Sequence, residues 1–346
     1  MNRQEFIAQH LYKRSLISYL LFPLSLIYGF LQRFRRIIYS NSKYQFKSKI
    51  KVISIGNIVS GGSGKTTFTI YLARYLKARG MRVAVSLRGY KGAFESSVEL
   101  ISDRLRINKQ AAVAGDEATL LSEKLSGIPV VVGKNRKKAI RLLEDRFPDL
   151  DYIILDDSFQ HLKVFHDLDI LVFHAIGGCG NGFILPAGIL RESLSSISQA
   201  DLVIYNGSHN IPDWLKNQKI PVLTGKYKTD SIRDLSGNRC NIDDLKNHNI
   251  ALMSAIGLPD SFEQTVKESG ITFKKHIRLP DHYHYEDLDK IEMILNSLED
   301  EGINTVLITE KDEVKLRNRL SSDHGILVLK IKFALDLPDR LETYFT

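Results

Sequence analysis

Cysteine is scarce in this chain of 346 residues: Cys179 and Cys240 are the only two, and they lie far apart in unrelated contexts. That excludes a disulfide framework and a four-thiolate metal site, and it fits a reducing compartment. Internal repeats and low-complexity tracts are lacking as well. With 43% hydrophobic and 25% charged residues the composition is that of globular material, long enough for two domains with a core each. Long apolar runs are also few. The main one, Leu16–Leu31, spans roughly 24 Å as a helix and falls short of a hydrocarbon core. Basic residues flank it on both sides and no small-residue cleavage site follows it, so it predicts an anchor lying in the bilayer interface. The alternative is a helix kinked at Pro23 that packs on the protein's own core.

Positive charge is in excess, +8 with a pI near 9.2, so the surface attracts anions: nucleic acid, an acidic membrane or phosphorylated substrates. Its distribution helps to choose. Lys13, Arg14, Arg33, Arg35, Arg36, Lys43, Lys47, Lys49 and Lys51 crowd around the apolar run. No recognition helix or aromatic RNA motif is evident, so no nucleic-acid partner is expected.

From Lys51 short β-branched runs alternate with amphipathic patterns, the signature of a parallel sheet covered by helices. Strands are predicted at Val52–Ile55, Val83–Leu87, Val130–Val132, Tyr152–Leu155, Ile170–Phe173 and Leu202–Tyr205, with helices beginning near Gly64, Asp116, Asn135 and Ser193. The polar stretch GKYKTDSIRDLSGN suggests a pair of linking strands. A second α/β unit follows, with strands at Ile250–Met253, Thr305–Ile308 and Ile326–Ile331 and helices near Ser261–Ser269 and Glu286–Leu298. The expected architecture is α/β: a P-loop NTPase-like, doubly wound parallel sheet core, a second, smaller α/β domain and an N-terminal membrane-associated helix. The expected divisions are 1–45 for the basic and apolar segment, 46–226 for the sheet core and 227–346 for the smaller domain, whose last strand returns toward the linker.

The segment VISIGNIVSGGSGKTTFTIYLARYLKARG joins a buried strand to a helix through a glycine-rich turn. Glycines let successive N–H groups face phosphate oxygens, the helix N-terminus adds its positive end, Lys65 neutralises β/γ charge and Thr66 offers a hydroxyl to Mg²⁺. Gly61, Gly62, Ser63, Gly64, Lys65, Thr66 and Thr67 are therefore candidate ATP-binding residues. Val59 stands where the strict pattern has its first glycine, which implies a variant loop. The apolar run Tyr152–Leu155 ends in Asp156 and Asp157, carboxylates at the C-terminal edge of a parallel strand, where ligands bind. Together with Thr66 they are candidates to hold Mg²⁺; the plainer reading is an acidic strand end facing water.

The strings SIGNIVSGGSGKTT, SLRGYKG, AGDEATLL, PVVVGKNR, LDDSFQH, GNGFILPAGILRESL, PDHYHY and TEKDEVK cover most of the chain, and in order and spacing they resemble the tetraacyldisaccharide 4'-kinase family of lipid A biosynthesis. Four positions depart from that pattern: Thr67 where proline commonly follows the loop, Leu87 where serine precedes the arginine-glycine-tyrosine motif, Ser158 in place of glycine and His174 where aspartate precedes the alanine. The resemblance implies transfer of the ATP γ-phosphoryl to the 4'-hydroxyl of a tetraacyldisaccharide 1-phosphate at the cytoplasmic face of a bacterial inner membrane. It implies a glycolipid substrate and no obligate protein partner.

The resemblance also implies roles. Asp116 is the candidate base, paired with His282 of PDHYHY, so that closure of the second domain gates chemistry; Glu117 assists Mg²⁺; Arg88 and Arg191 clamp phosphates. Helix capping for Asp116 and Glu117 and surface ion pairs for the arginines remain as alternatives. His284, two residues from His282, stays an alternative to it. Gln160, His161, Asn181 and Glu192 are expected to line the cleft, and Glu310, Lys311 and Asp312 either shape a sugar pocket or cap a helix. The rival reading, an NTP-driven switch or metallochaperone-type NTPase, shares the P-loop and acidic strand ends.

Overall fold

The structure, a computed structural model, describes residues 10–89, 97–108, 114–281, 283–317, 319–320 and 325–345. The chain divides into two compact units, Met1–Lys226 with Leu335–Thr346, and Tyr227–Ala334.

In the first unit β1 (Lys51–Gly56) lies between β5 (Tyr152–Asp156) and β6 (Leu168–His174). Beyond β5 come β2 (Val83–Leu87) and β4 (Val130–Gly133); beyond β6 come β7 (Leu202–Asn206) and the start of β8 (Val222–Asp234). All these pairings are parallel. Runs such as VVVG and YIILD are apolar almost throughout because helices cover both faces, which is why they are buried at every position. The edge strand β3 (Val98–Ser102) runs antiparallel to β4 and has no counterpart among the predicted strands. Helices α2 (Lys65–Ala78), α3 (Asp116–Lys124) and α4 (Arg136–Arg146) begin where the sequence signals them, the last capped by Asn135, whose side chain accepts from the Lys138 amide at 3.1 Å. The helix expected from Ser193 is instead a six-residue 3₁₀ segment, Leu194–Gln199. Its serines turn back on the backbone, Ser196 Oγ donating to the Ser193 carbonyl and Ser198 Oγ to that of Ser195, and so compete with helix propagation.

Helix α1 (Leu16–Tyr39) has 24 residues and spans roughly 36 Å, continuing past the apolar run that marked it in the sequence. Length and composition alone would let it cross a membrane, which corrects the expectation that it is too short. Its polarity is inverted relative to a soluble amphipathic helix. Ser18 and Ser25 are buried, whereas Leu20, Leu24, Ile27, Leu31 and Phe34 are all more than half exposed. Ser25 Oγ donates to the Ile184 carbonyl at 2.8 Å and accepts from the Ala187 amide at 3.0 Å. At Gly29 a Cβ would approach Ile184 Cδ1 to 2.9 Å, so a lean polar stripe is what lets the helix seat on the 181–192 segment.

In the second unit β11 (Lys275–Arg278), β10 (Ile250–Ser254), β12 (Thr305–Thr309) and β13 (Ile326–Leu335) are parallel in that order. The polar GKYKTDSIRDLSGN stretch supplies most of β8, which turns back antiparallel into β9 (Arg239–Cys240). Asp312 is a buried hub. It accepts from the Tyr285 hydroxyl at 2.9 Å, Thr309 Oγ1 at 2.6 Å and the Ala255 amide at 3.2 Å. Burial raises its pKa above the ordinary carboxylate value. The TEKD motif is therefore a helix start whose aspartate pins Tyr285, the last residue of PDHYHY.

Candidate active site

Strand β1 delivers the chain into an eight-residue turn, 57–64, that ends on Lys65 at the first position of α2. Gly61 (φ 100°) and Gly64 (φ 86°) take the left-handed conformations that a side chain would resist. Asn57 is fully buried and donates through Nδ2 to Ser63 Oγ at 2.8 Å, bracing the turn from inside. The departure at Val59 has a physical reason: its side chain belongs to the buried cluster of Ile58, Phe159, Ile189 and Leu190, and its backbone bridges Leu190. One end of the loop is thus paired like a strand, and the curl begins only after Ser60, whose amide donates to the Ile189 carbonyl at 2.8 Å.

Facing the turn, β5 ends in Asp156, which is 3% exposed and accepts from Thr66 Oγ1 at 3.1 Å and Thr69 Oγ1 at 3.0 Å. Burial, followed by the charges of Glu117 and Asp157, pushes its pKa up to about 6 against the pull of Lys65. Asp157 turns outward through a left-handed backbone (φ 51°), a conformation aspartate tolerates. Lys65 Nζ lies 3.5 Å and Arg191 Nη1 3.4 Å from Asp157 Oδ1. Burial works to raise this carboxyl, but Lys65, Arg191 and Arg136 outweigh it and hold it below the usual carboxylate range. The plain reading of an acidic strand end in water does not describe Asp156.

A glycine-rich loop, a lysine, a hydroxyl and two unlike carboxylates at one sheet edge suit phosphate chemistry; the motifs around them point to the family. Residues 17–346 match the family model described as tetraacyldisaccharide-1-P 4'-kinase. The chain belongs to this family. It is 37% identical to a tetraacyldisaccharide 4'-kinase of Pelobacter propionicus over 88% of this chain and 84% of that one, and 33% identical to one of Geobacter metallireducens over 95% and 97%. A crystal structure of LpxK from Aquifex aeolicus in complex with ATP is similar with a TM-score of 0.74 and 28% identity, over 95% of this chain and 98% of that chain.

Asp116 opens α3 directly after Gly115 (φ 102°), and Glu117, next to it, lies close enough to Asp156 to raise its pKa. Arg88 is exposed at the end of β2, where Gly89 allows close passage: a Cβ there would meet Val132 Cγ1 at 2.2 Å. His282 lies outside the described residues, and His284 is exposed. Ser158 needs no glycine, because the left-handed residue is Asp157. Its hydroxyl is buried and bonded to Ser54 Oγ at 2.9 Å and the Leu155 carbonyl at 3.0 Å. Close approach instead demands glycine at Gly56, where a Cβ would lie 2.4 Å from Phe159 Cβ.

Two of the expected cleft residues are engaged by the N-terminal region. Asn181 Nδ2 donates to the His10 and Ala187 carbonyls, both at 2.8 Å, while its Oδ1 accepts from the Phe183 amide at 2.9 Å, so it organises its own loop beneath α1. Glu192 is 4% exposed and is held by the Arg36 guanidinium. Gln160 joins the loop, donating through Nε2 to the Asn57 carbonyl at 2.8 Å.

Sequence reasoning missed Arg136 as a site residue. Its side chain is 2% exposed, donates to Ser86 Oγ at 3.2 Å and to the Asp156 carbonyl, and is pushed down to about 10 by burial. It fixes the turn that aims the two carboxylates. A helix-start arginine after the apolar VVVG strand was the available signal.

His161 and His174 are both depressed to about 4, chiefly by burial. Between about pH 4 and pH 6 unfolding lets these two histidines take up two protons while Asp156 loses one. The net uptake is one, so these groups make stability rise with pH by about 1.4 kcal/mol per unit in that window. Denaturant titrations at about pH 4.5 and 5.5 check this, and His174→Phe should flatten the slope; equal slopes in parent and variant would refute the assignment.

Proposed function

We infer that this protein transfers the γ-phosphoryl group of ATP to the 4'-hydroxyl of a tetraacyldisaccharide 1-phosphate, yielding the bisphosphorylated lipid A precursor. The observation that carries the reading is the alignment of Lys65 and Thr66 with Asp156 and Asp157 at one sheet edge, in a chain of this family. In the reaction the 4'-oxygen attacks the γ-phosphorus, the bond to the β-phosphate oxygen breaks and ADP leaves. Asp116 accepts the hydroxyl proton as the new P–O bond forms. The 57–64 amides cradle the phosphates, Lys65 moves from Asp157 to the β/γ oxygens, and Arg191 and Arg88 offer guanidinium forks to the transferring group. His282 is assigned as the partner of Asp116 by its motif alone.

The donors at the strand edge are hard oxygens, Thr66 Oγ1, Asp156, Asp157 and Glu117, which suits Mg²⁺. Among the described residues no group of three or more His, Cys, Asp or Glu side chains is placed to hold a metal ion by itself. The chemistry a bound Mg²⁺ supplies is neutralisation of β/γ oxygens. Incorporation of label from γ-³²P-labelled ATP into the acylated disaccharide tests the function directly; nucleotide hydrolysis without labelled lipid would instead favour an NTP-driven switch.

The membrane role rests on the inverted polarity of α1. Its exposed Leu20, Leu24, Ile27, Leu31 and Phe34 gain by burial in lipid while basic neighbours meet anionic headgroups, so the helix docks the enzyme peripherally at the cytoplasmic face of the inner membrane, where its glycolipid resides. Each exposed leucine contributes about 1.5–3 kcal/mol when buried. Leu20→Gln with Leu24→Gln should weaken sedimentation with phosphatidylglycerol vesicles about a hundredfold without lowering Tm. Undiminished vesicle binding would dismiss the anchor.

A further inference from the structure

Arg35 and Arg36, near the end of α1, reach the glycine-rich loop by separate routes. Arg36 grips the buried Glu192 through both fork nitrogens, Nη2 to Oε1 at 3.0 Å and Nε to Oε2, and lies 4.2 Å over the Phe159 ring. The residue before Glu192 is Arg191, whose amide donates to the Ile58 carbonyl at 2.7 Å and whose side chain reaches Asp157. Arg35 donates to the Gln160 carbonyl at 3.0 Å, Gln160 donates to the Asn57 carbonyl, and Asn57 braces Ser63. In the same stretch of helix, Phe34 and Ile37 are 53% and 62% exposed. The helix surface that meets lipid is therefore one residue away from groups that set the phosphate loop.

We propose that Arg36 is a positioning residue that ties the seating of the lipid-facing helix to the aim of Arg191 and the shape of the 57–64 loop. This rests on the kinase reading above. The planar fork fixes Glu192 in direction as well as in place, and a carboxylate so buried has little freedom to turn once gripped. The backbone bond from Arg191 to Ile58 then transmits that registry to the P-loop. Rotation or withdrawal of α1 would release Glu192 as an unpaired buried charge, an arrangement that relaxes by moving the 189–192 segment and Arg191 with it. Lipid engagement, by holding α1 down, keeps the arginine aimed.

A double-mutant cycle tests whether Arg36 acts through Arg191. Turnover is measured for the full-length parent, Arg36→Gln, Arg191→Gln and the double variant, with the acylated disaccharide in phosphatidylglycerol vesicles. Arg36→Gln is expected to lower kcat about tenfold with KM for ATP changed less than about twofold, and to lose that effect in the Arg191→Gln background. The same fold-loss in both backgrounds, or parental kcat in Arg36→Gln, overturns the proposal. Arg36→Lys, which keeps charge without the fork, carries the same cycle if Arg36→Gln folds poorly. Amide hydrogen exchange gives a readout free of turnover: vesicles should slow exchange at 57–64 and 189–192 in the parent but not in Arg36→Gln. Equal protection in both proteins sinks the coupling, whereas a parent that couples yet phosphorylates no lipid sinks only the kinase reading.

Discussion

Substitution of Asp116 by alanine is expected to lower kcat by about three orders of magnitude while MgATP binding changes by less than about twofold, within the range for losing a general base. The rival explanation of this residue is helix capping: acids favour the first turn of a helix, and Asp116 and Glu117 both lie there. The N-cap of α3 is Gly115, with no side-chain cap bond, so Asp116 stands one position inside the helix rather than at the cap. A residue that merely stabilises the first turn would cost about 1 kcal/mol of stability on truncation and leave kcat alone. The informative measurement is therefore kcat on vesicle-borne acceptor alongside calorimetric MgATP affinity and Tm. Loss of stability with full turnover would remove Asp116 from the chemistry.

The sheet core was legible because its strands are buried on both faces and so read as unbroken apolar runs, each followed by a glycine, asparagine, histidine or charged residue that ends it. The P-loop was legible because strand, glycines, lysine and helix sit together. Two elements were harder to read, for different reasons. Edge strand β3 is buried only in part and carries charged or polar residues at Glu99 and Ser102, leaving no clear run. The middle of β8 reads as polar and turn-rich in sequence, yet its alternation of exposed and half-buried positions, with Lys226 and Lys228 exposed, carries the pair of linking strands expected there.

Within the site the sequence pointed to carboxylates and cations but not to their inequality. Adjacent Asp156 and Asp157 look equivalent as letters; only the left-handed backbone at Asp157 sends one carboxyl into the core between two threonines and the other toward Lys65 and Arg191. The engagement of Asn181 and Glu192 was hidden for a related reason. Both lie in a motif with Arg191, yet each has a partner in the N-terminal helix region, 171 and 156 residues earlier, a pairing no local pattern encodes. Arg136 is the converse case, a surface-type residue in any sequence reading whose guanidinium is enclosed by strand ends.

The inequality of the two aspartates makes Lys65 the position where loss is expected to be largest. Its ammonium shares Asp157 with Arg191, and it also lowers the Asp156 pKa against burial. Lys65→Ala should therefore act twice. It removes the charge that meets the β/γ oxygens, lowering kcat/KM for ATP by about three to four orders of magnitude, in keeping with electrostatic stabilisation of a phosphoryl transition state. It also lets the Asp156 pKa climb above about 6, so that a larger fraction of the carboxyl is protonated near neutrality. In the parent MgATP affinity should fall only below about pH 6; in the variant the same fall should begin at higher pH, since the proton that must leave before a cation binds is held more tightly. Lys65→Arg keeps a positive charge and should restore the acid limb even where bulk at the loop prevents recovery of turnover. An acid limb that stays in place in Lys65→Ala would show that the lysine does not set the state of Asp156, and would leave burial and the charges of Glu117 and Asp157 as what does.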